Sequence, residues 1–243
     1  MNLNFSEKIF SFFHQLIEKK YHLKKLSQVI KNNANFKRPT VFDVGGNEGE
    51  SIDFFLNLFI NPKIYSFEPE AKSYKKLRKK YKNNKKVNLY NFAFGSEKKK
   101  MDLKINVKSS TSTFSKINKH SKYYNLKSLI LTHGKGSIFT GIENVQVDKL
   151  DNFSNKNKIN NIDILKIDTE GFELNVIKGA KKTLKKTKLL IIEFQLNDMY
   201  LNYSSKKIDN FLKFNNFIFI DSLKFPFMQY EDRIYINKNI KND

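Results

Sequence analysis

Residues 40–49 have the sequence TVFDVGGNEG, in which a short run of apolar and β-branched residues ends in closely spaced glycines. The apolar run predicts a buried strand over residues 40–45, and the next residues, 49–59, have the spacing of a helix. Glycines between a strand and a helix let the backbone come close to a ligand. The free amide groups at the N-terminus of that helix add positive potential. This stretch therefore predicts an α/β unit with a ligand site at the end of its first strand.

The alternation of strand and helix continues along the chain. Apolar runs predict further strands at 63–67, 87–94, 162–167 and 189–194, and the segments 70–81, 173–184 and 205–215 have helical patterns. Such alternation is typical of a parallel sheet with helices on both faces. Two last strands, 217–221 and 233–237, are predicted to form a closing antiparallel pair. We therefore expect an α/β fold.

We divide the chain into an N-terminal helical extension, residues 1–38, and one α/β domain, residues 39–243. Apolar residues between positions 5 and 17 recur at helical spacing, which predicts a helix packed on the domain. A membrane-surface helix is the alternative, because lysines follow this segment. Residues 107–143 contain Ser/Thr runs and the sequence HGKG. We expect this insertion to form a loop or small lid over the ligand site, flanked by strands at 101–107 and 144–148.

The composition limits the possible chemistry. The chain has no cysteine, which excludes disulfides, thiolate metal sites and a cysteine nucleophile. It contains no apolar run of about 18 residues, so we expect no transmembrane helix. The N-terminal residues lack the pattern of a signal peptide. A cysteine-free chain of 243 residues fits a single domain in a reducing cytosol, and we expect a cytoplasmic protein.

The formal net charge of +21 suggests a nucleic-acid partner at first sight. The lysines are spread along the chain, however, and arginine, which recognises bases and phosphates through paired hydrogen bonds, is scarce. The joint abundance of Lys, Asn, Ile and Phe is typical of an AT-rich genome. We therefore expect no specific nucleic-acid partner, and contact with anionic glycans or a peripheral membrane surface stays open.

The first candidate site is the turn that contains Asp43, Gly45, Gly46, Asn47 and Gly49. Ligands of open parallel sheets bind at the carboxyl ends of strands, near the topological switch point. A dinucleotide site would require Gly-x-Gly-x-x-Gly and a P-loop would require Gly-Lys-Ser/Thr, and these glycines fit neither spacing. We expect the turn to hold a ligand carboxylate, and Asp43 to meet the ligand's ammonium group directly or through water. A plain tight turn is the alternative.

Acidic and polar residues end the next two predicted strands. Glu68, followed by Pro69, lies where a carboxylate can accept hydrogen bonds from both ribose hydroxyls of a nucleoside. Capping of the following helix is the alternative. At the end of the third strand, Asn91 is a candidate for the edge of an adenine base, and Phe92 or Ala93 for its face. For Phe92, packing in the strand core is the alternative.

Together with the longer motifs, these residues resemble the FkbM-type methyltransferases, a family of S-adenosylmethionine-dependent O-methyltransferases. The resemblance covers roughly residues 38–196 and is carried by VFDVGGNEGE, IYSFEPE, NFAFGSE, VDKLDNF, and IDILKIDTEGFELNVIKGA followed by LLIIEF. The family often has alanine where Gly46 stands, a departure that should not impair the turn. The resemblance implies a class I methyltransferase (Rossmann-like) fold, whose seven-stranded sheet has a reversed last strand. It also implies methyl transfer as the activity and S-adenosylmethionine as the cofactor.

The predicted fourth strand ends in Asp168 and Glu170, at the tip that faces the transferred methyl group in such folds. Asp168 is a candidate to hold the cofactor's ammonium end, to orient the acceptor or to act as base, and Glu170 is a candidate general base. His133 is a third candidate base, because histidine titrates near neutrality. Helix capping is the alternative for Glu170 or Glu173, and ordinary solvation is the alternative for His133.

Further polar residues surround these candidates. Glu193 ends the fifth predicted strand and is a candidate of the same kind as Glu170. Ser109, Ser110 and Ser112 are similar to a serine patch that the family places near the active site. The carboxylates after the fourth and fifth strands lack a clear metal-ligand spacing, so we predict no bound metal.

These features predict methyl transfer to a hydroxyl group of a sugar, in a surface glycan or lipopolysaccharide, or of a secondary metabolite. The alternatives are an RNA methyltransferase and a non-catalytic module that binds nucleic acid or protein on the same fold. The Asn-Pro-Pro-Tyr type motif for exocyclic amines is absent, which favours oxygen over a base nitrogen. The complete set of site residues favours an enzyme over a binding module.

Overall fold

The computed structural model describes residues 21–34, 36–132, 134, 137–225 and 229–240, and the helix predicted between positions 5 and 17 lies outside these ranges. The strands are β1 (Thr40–Val44), β2 (Lys63–Phe67), β3 (Val87–Tyr90), β4 (Ala93–Phe94), β5 (Lys99–Asn106), β6 (Phe139–Asp148), β7 (Ile162–Ile167), β8 (Thr187–Gln195), β9 (Phe217–Phe225) and β10 (Tyr230–Asn237). A seven-stranded sheet has the order β3-β2-β1-β7-β8-β10-β9. β1 runs parallel to β2 and β7, whereas β10 runs antiparallel to β8 and β9. The expected mostly parallel sheet with a reversed last strand is confirmed.

The helices are α1 (residues 21–33), α2 (Glu50–Leu58), α3 (Ala71–Tyr81), α4 (Lys122–Thr132), α5 (Leu150–Lys156), α6 (Glu173–Lys178), α7 (Lys181–Leu184) and α8 (Ser205–Phe214). All of these except α4 contribute to the cores on the two faces of the seven-stranded sheet. On one face, Ile30, Phe55 and Leu77 of α1, α2 and α3 join a buried cluster with Val41 of β1. On the other face, α5 to α8 pack with Phe42 of β1. Because successive side chains of a strand point to opposite faces, β1 supplies both cores, with Val41 on one face and Phe42 and Val44 on the other. None of the helices in the described ranges combines the length and the apolar character needed to cross a bilayer.

The third predicted strand, 87–94, is two strands in the structure. β3 lies at the edge of the large sheet, whereas β4 pairs with β6 in a second, three-stranded sheet of order β4-β6-β5. Between them, the side-chain amide of Asn91 donates hydrogen bonds to the carbonyl oxygens of Glu68 and Pro69, at 2.8 and 3.0 Å. The prediction of one strand was wrong because these bonds attach Asn91 to the loop after β2, and the chain turns there between β3 and β4.

Two other segments also differ from the prediction. Within the insertion 107–143, which we expected to form a loop or small lid, residues 122–132 form α4 and β6 begins at Phe139, so part of it is regular structure. The single helix predicted over 173–184 is divided into α6 and α7 at Gly179. A Cβ atom at Gly179 would lie 2.0 Å from the carbonyl oxygen of Gly95, so the helix breaks where the turn after β4 crosses it.

Glu173 begins α6 and closes the loop before it. Its Oε1 atom accepts hydrogen bonds from the backbone amides of Thr169 and Gly171, at 3.0 Å each, and the side chain is fully buried. Its Oε2 atom has no hydrogen-bond partner among the described residues. Burial raises the pKa of Glu173 to about 7, against the effect of the backbone bonds, which lower it. Glu173 therefore has the geometry of a loop cap that keeps a desolvated carboxyl group.

Replacing Glu173 by glutamine tests what this buried carboxyl group does to stability. A carboxyl group whose pKa rises from 4.5 to about 7 on folding stabilises the fold below pH 4.5, and this contribution is lost as the pH rises through 7. Glutamine can still accept both amide bonds and carries no charge, so Glu173→Gln should flatten the fall in unfolding free energy across this range. At pH 8 the variant should be more stable by about 1 to 3 kcal/mol.

Urea denaturation of the wild type and of Glu173→Gln at several pH values measures this effect. Glu97→Gln is the matched control, because the side chain of Glu97 is 66% exposed. An unfolding free energy of Glu173→Gln that falls with pH as steeply as that of the wild type would contradict the prediction.

Candidate functional site

The carboxyl ends of β2, β1 and β7 lie side by side near the middle of the sheet. Val44 of β1 is paired with Phe67 of β2 and with Ile167 of β7, so the residues that follow these strands start from the same level. The chain runs from β1 to β2 and β3 on one side and returns to β7 on the other, which makes this a topological switch point. The glycine turn, Glu68 and Asp168 meet there, each directly after its strand.

The turn after β1 has a shape that requires glycine. Gly45 has a φ of +94°, and a Cβ atom there would lie 1.8 Å from the carbonyl oxygen of Asp168. The backbone amides of Gly45 and Gly46 both donate to the carbonyl oxygen of Phe67, at 2.9 and 3.1 Å. A Cβ atom at Gly46 would lie 2.2 Å from the hydroxyl oxygen of Ser66. Gly46, where the family that this sequence resembles often has alanine, therefore makes room for Ser66.

Asp43 is fully buried beneath this turn. Its carboxylate oxygens accept hydrogen bonds from the hydroxyls of Ser51 and Ser66, at 2.7 and 2.8 Å. Burial raises the pKa of Asp43, while Lys166 and the two hydroxyls oppose that rise. Asp43 ties the end of β1 to the first turn of α2 and to β2, and its contact with a ligand ammonium group stays a prediction.

Glu68 joins the loop after β1 to the loop after β2. Its carboxylate oxygens accept hydrogen bonds from the backbone amides of Asn47 and Glu70, at 2.8 Å each, and the residue is 7% exposed. Burial raises the pKa of Glu68 to about 7, although both amide bonds lower it. The bond to Glu70 fits the alternative in which Glu68 caps α3. Each oxygen keeps a second lone pair, so these bonds are compatible with additional ribose hydroxyls.

Serines of the insertion reach both of these loops. Ser109 donates to the side-chain oxygen of Asn47 at 2.8 Å, and Ser112 donates to the carboxylate of Glu70 at 3.3 Å. Ser110 lies between them in a single 3-10 turn. The structure thus places the serine patch beside the glycine turn. Glu70, which is 4% exposed, was not singled out by the sequence analysis, and its only signal was the second acid of the EPE motif.

The residues predicted to contact an adenine base have different surroundings. Asn91 is exposed, and its amide group is engaged by the loop after β2, including the carbonyl oxygen of Pro69. Phe92 packs on two core phenylalanines, with centroid distances of 5.6 and 5.2 Å. Ala93 is buried in β4. Core packing therefore accounts for the positions of Phe92 and Ala93, and contact with adenine stays a prediction for all three residues.

Asp168 follows β7 directly and is ion-paired. The Nζ atom of Lys166 lies 2.8 Å from Oδ2 of Asp168, and the amide of Asp168 donates to the carbonyl oxygen of Val44 at 2.9 Å. Burial alone would lower the pKa of Lys166, but the carboxylates of Asp168 and Asp43 raise it above its usual value. Lys166 is therefore cationic at neutral pH and remains ion-paired with Asp168.

Glu170 is held from several sides. Its φ is +50°, and its carbonyl oxygen accepts a hydrogen bond from the hydroxyl of Thr113 at 2.6 Å. Its Oε2 atom accepts a hydrogen bond from the hydroxyl of Tyr200 at 2.6 Å and lies 4.0 Å from Nζ of Lys127 in α4. Burial raises the pKa of Glu170, and Lys127 opposes that rise. Glu170 is thus a fixed carboxylate that accepts a proton more readily than an exposed one.

The sequence analysis missed Tyr200, which follows β8. Tyr200 is buried, and an isolated bridge joins it to Ile117 of the insertion. At Gly171, with a φ of +89°, a Cβ atom would lie 2.6 Å from the Tyr200 ring. Tyr200 is 30 residues from Glu170 in the sequence, and no motif connects the two residues. Only the tertiary structure brings this hydroxyl to the carboxylate.

The remaining candidates lie around this cluster or outside the described part of the chain. Glu193 is buried in β8 and accepts a hydrogen bond from the side chain of Gln195 at 2.6 Å. Burial, and then the neighbouring carboxylates Asp168 and Glu170, raise the pKa of Glu193 well above its usual value. Within the described ranges, no three His, Cys, Asp or Glu side chains are arranged to hold a metal ion. His133 is outside the residues that the structure describes.

The fold is shared with solved proteins of low sequence identity. A putative rRNA-methylase from Clostridium thermocellum matches with a TM-score of 0.50 and 12% identity, over 88% of this chain and 94% of that chain. A protein of the NADB-Rossmann superfamily from Streptococcus agalactiae has a TM-score of 0.50 and 13% identity, over 91% and 70% of the two chains. Magnesium protoporphyrin IX methyltransferase from Synechocystis PCC 6803, solved with bound S-adenosylmethionine, has a TM-score of 0.47 and 12% identity, over 98% and 86%.

Sequence comparisons identify the family. The 2-O-methyltransferase NoeI of Sinorhizobium fredii (strain NBRC 101917 / NGR234) is 24% identical over 168 residues. This match spans 67% of the present chain and 65% of NoeI. The model of the methyltransferase FkbM domain matches residues 43–219, a range that includes all three strand ends of the candidate site. Because that range is most of the chain, the protein belongs to the FkbM methyltransferase domain family.

Proposed function

We propose that this chain is an S-adenosylmethionine-dependent O-methyltransferase whose acceptor is a hydroxyl group of a saccharide. The observation that carries the proposal is the meeting of the glycine turn, Glu68 and Asp168 at the switch point of the sheet. Family membership supports methyl transfer, and the name of NoeI, a 2-O-methyltransferase, supports oxygen as the accepting atom. Around Glu170, its carboxylate, the hydroxyl of Tyr200 and the ammonium group of Lys127 provide hydrogen-bonding groups of the kind that suit a saccharide.

The residues of the switch point fit this cofactor. Gly45 and Gly46 let the turn pack closely on Asp168 and Ser66, and the amides at the start of α2, which follows the turn, suit the carboxylate of the cofactor. Glu68 would hold the ribose hydroxyls through its remaining lone pairs. Asp168 would hold the ammonium group, which would share its carboxylate with Lys166. When bound, S-adenosylmethionine supplies an electrophilic methyl group on a sulfonium, with a thioether as the leaving group.

Glu170 is the best candidate for the base among the described residues. The carboxylate of Asp168 is already engaged by Lys166 at 2.8 Å and is the group proposed to hold the ammonium end of the cofactor. The side chain of Glu170 is only 15% exposed, its pKa is raised, and the hydroxyl of Tyr200 and the ammonium group of Lys127 hold its position. Glu170 would take the proton of the acceptor hydroxyl while the acceptor oxygen bonds to the methyl carbon and the carbon–sulfur electron pair moves to sulfur. The chain's main contribution would be to position the two reactants.

Calorimetric titration with S-adenosylmethionine tests the cofactor site. Wild-type protein should bind in the micromolar range, and Glu68→Ala should weaken binding about tenfold or more, a change of ~1.4 kcal/mol. The expected loss follows from removing the ribose contact and the brace between Asn47 and Glu70. Glu97→Ala is the control for an exposed carboxylate. Folded wild-type protein that binds no S-adenosylmethionine would refute the proposed activity.

A panel of saccharides and RNA, assayed for S-adenosylhomocysteine, tests the acceptor and the base. Glu170→Gln should lower kcat about a hundredfold or more and leave cofactor binding unchanged. Tyr200→Phe removes a hydrogen bond that favours the charged form of Glu170 and so lowers its pKa. The rising limb of the pH–rate profile should therefore move to higher pH in Tyr200→Phe.

Tyr74→Phe is the matched control for Tyr200→Phe, because it also removes one tyrosine hydroxyl. The hydroxyl of Tyr74, on α3, donates to the carbonyl oxygen of Leu89 and not to Glu170. A pH–rate profile of Tyr200→Phe that coincides with that of the wild type would contradict the role given to Glu170. Transfer to RNA with no transfer to any saccharide would contradict the acceptor class and leave methyl transfer itself intact.

A further inference from the structure

The charges of the insertion differ from those of the rest of the chain. Residues 107–142, here called the acid-free segment, contain no Asp or Glu, although the whole chain contains 24. The same segment contains six lysines: Lys108, Lys116, Lys119, Lys122, Lys127 and Lys135. Four of these lysines, Lys108, Lys116, Lys119 and Lys122, are exposed. The segment therefore contributes positive charge and no carboxylate of its own.

The helix of the acid-free segment turns apolar side chains to solvent. Leu126, Leu129 and Ile130 of α4 are 54%, 59% and 58% exposed, and their spacing places them on one face of the helix. No residue of α4 is buried. Beside them on the helix lies Lys127, whose side chain is 19% exposed and ion-paired with Glu170. α4 thus contacts the candidate site through Lys127 and carries next to it an exposed aliphatic stripe, formed by Leu126, Leu129 and Ile130.

We infer that the acid-free segment docks the domain on an anionic lipid bilayer, with the aliphatic stripe of α4 inserted at the level of the headgroups. Interfacial helices combine an apolar face with lysines that contact anionic lipids, and this segment has both features. Charge complementarity is strong, because no carboxylate of the segment opposes approach to a negative surface. The exposed aliphatic side chains would leave water on contact with the acyl chains.

Other partners fit these residues less well. Proteins that bind RNA use basic and aromatic side chains for phosphates and bases, whereas the stripe is aliphatic. Protein–protein hot spots are enriched in Trp, Tyr and Arg, and the stripe contains none of these residues. A lipid surface is the partner that uses the aliphatic stripe and the surrounding lysines together.

Docking through α4 has a consequence for the acceptor, which rests on the proposed function. Because Lys127 of α4 reaches Glu170, the base would lie next to the docking helix, on the bilayer side of the domain. The acceptor hydroxyl would then belong to a saccharide carried by a lipid. The surface itself can be tested without knowing the acceptor.

Cosedimentation of the full chain with sucrose-loaded vesicles tests the docking surface. The wild type should bind vesicles that contain about one third phosphatidylglycerol, bind pure phosphatidylcholine vesicles far more weakly, and lose binding at high salt. Substituting the stripe, with Leu126→Ser, Leu129→Ser and Ile130→Ser combined, should weaken binding to the anionic vesicles about tenfold or more. Substituting Lys116, Lys119 and Lys122 by glutamate should have a similar effect.

Matched controls separate this surface from the general charge of the chain. Ile60→Ser and Phe214→Ser remove apolar side chains that are 92% and 86% exposed elsewhere. Glutamate at the exposed positions Lys79, Lys82 and Lys85 makes the same change of charge at α3 and the turn after it. Both control sets should bind the vesicles much more tightly than the variants of the acid-free segment. Thermal unfolding confirms that each variant is folded.

Several results would overturn the inference. The first is that the wild type binds anionic and neutral vesicles equally well. The second is that the stripe variant binds anionic vesicles as tightly as the wild type. The third is that the control variants lose as much vesicle binding as the variants of the acid-free segment. A dimer that light scattering detects in the wild type and not in the stripe variant would assign the stripe to self-association instead. Because the stripe variant keeps the switch point, it should bind S-adenosylmethionine like the wild type. A failure of vesicle binding is therefore distinguishable from a failure of the proposed methyl transfer.

Discussion

The site depends on the contact between Gly45 and the carbonyl oxygen of Asp168, where a Cβ atom would be only 1.8 Å away. The contact lets the turn after β1 rest on the tip of β7, and the amide of Asp168 returns a hydrogen bond to Val44. Glu68 adds the tip of β2 through the amide of Asn47. Three neighbouring strand ends are thereby fixed to one another. The start of α2, which follows the turn, takes its position from them.

Buried carboxyl groups make this arrangement rigid and also reduce its stability. Asp43, Glu68 and Glu173 are each removed from water, and each is held by hydroxyl or amide donors. Burying a charge is unfavourable unless it is paired or hydrogen-bonded, and the raised pKa values of these groups show that the compensation is incomplete. Such groups are typical of functional sites, where geometry is maintained at the expense of stability. The two extensive apolar cores provide the stability that offsets this expense.

The sequence predicted best what depends on local pattern. The bounds of β2 and β7 agree with the predicted 63–67 and 162–167, because both strands are apolar runs with clear ends. The three strand ends of the site were also found from sequence, since each polar residue directly follows such a run. The break between β3 and β4 was missed because the side chain of Asn91 turns the chain there. Tyr200 was missed for a related reason, since its contact with Glu170 exists only in the tertiary structure.

The insertion shows how a segment with little core of its own can still help to position a carboxylate of the candidate site, Glu170. An isolated helix of the length of α4 is marginal in water, and α4 has no buried residue that would stabilise it by packing. Its first turn is anchored by Ser121, which accepts a hydrogen bond from the amide of Tyr124 and donates one to Asp198. The bridge between Ile117 and Tyr200 fixes the preceding residues to the loop after β8. The anchors therefore hold α4 by its start, and the same loop that holds it also supplies the hydroxyl that orients Glu170.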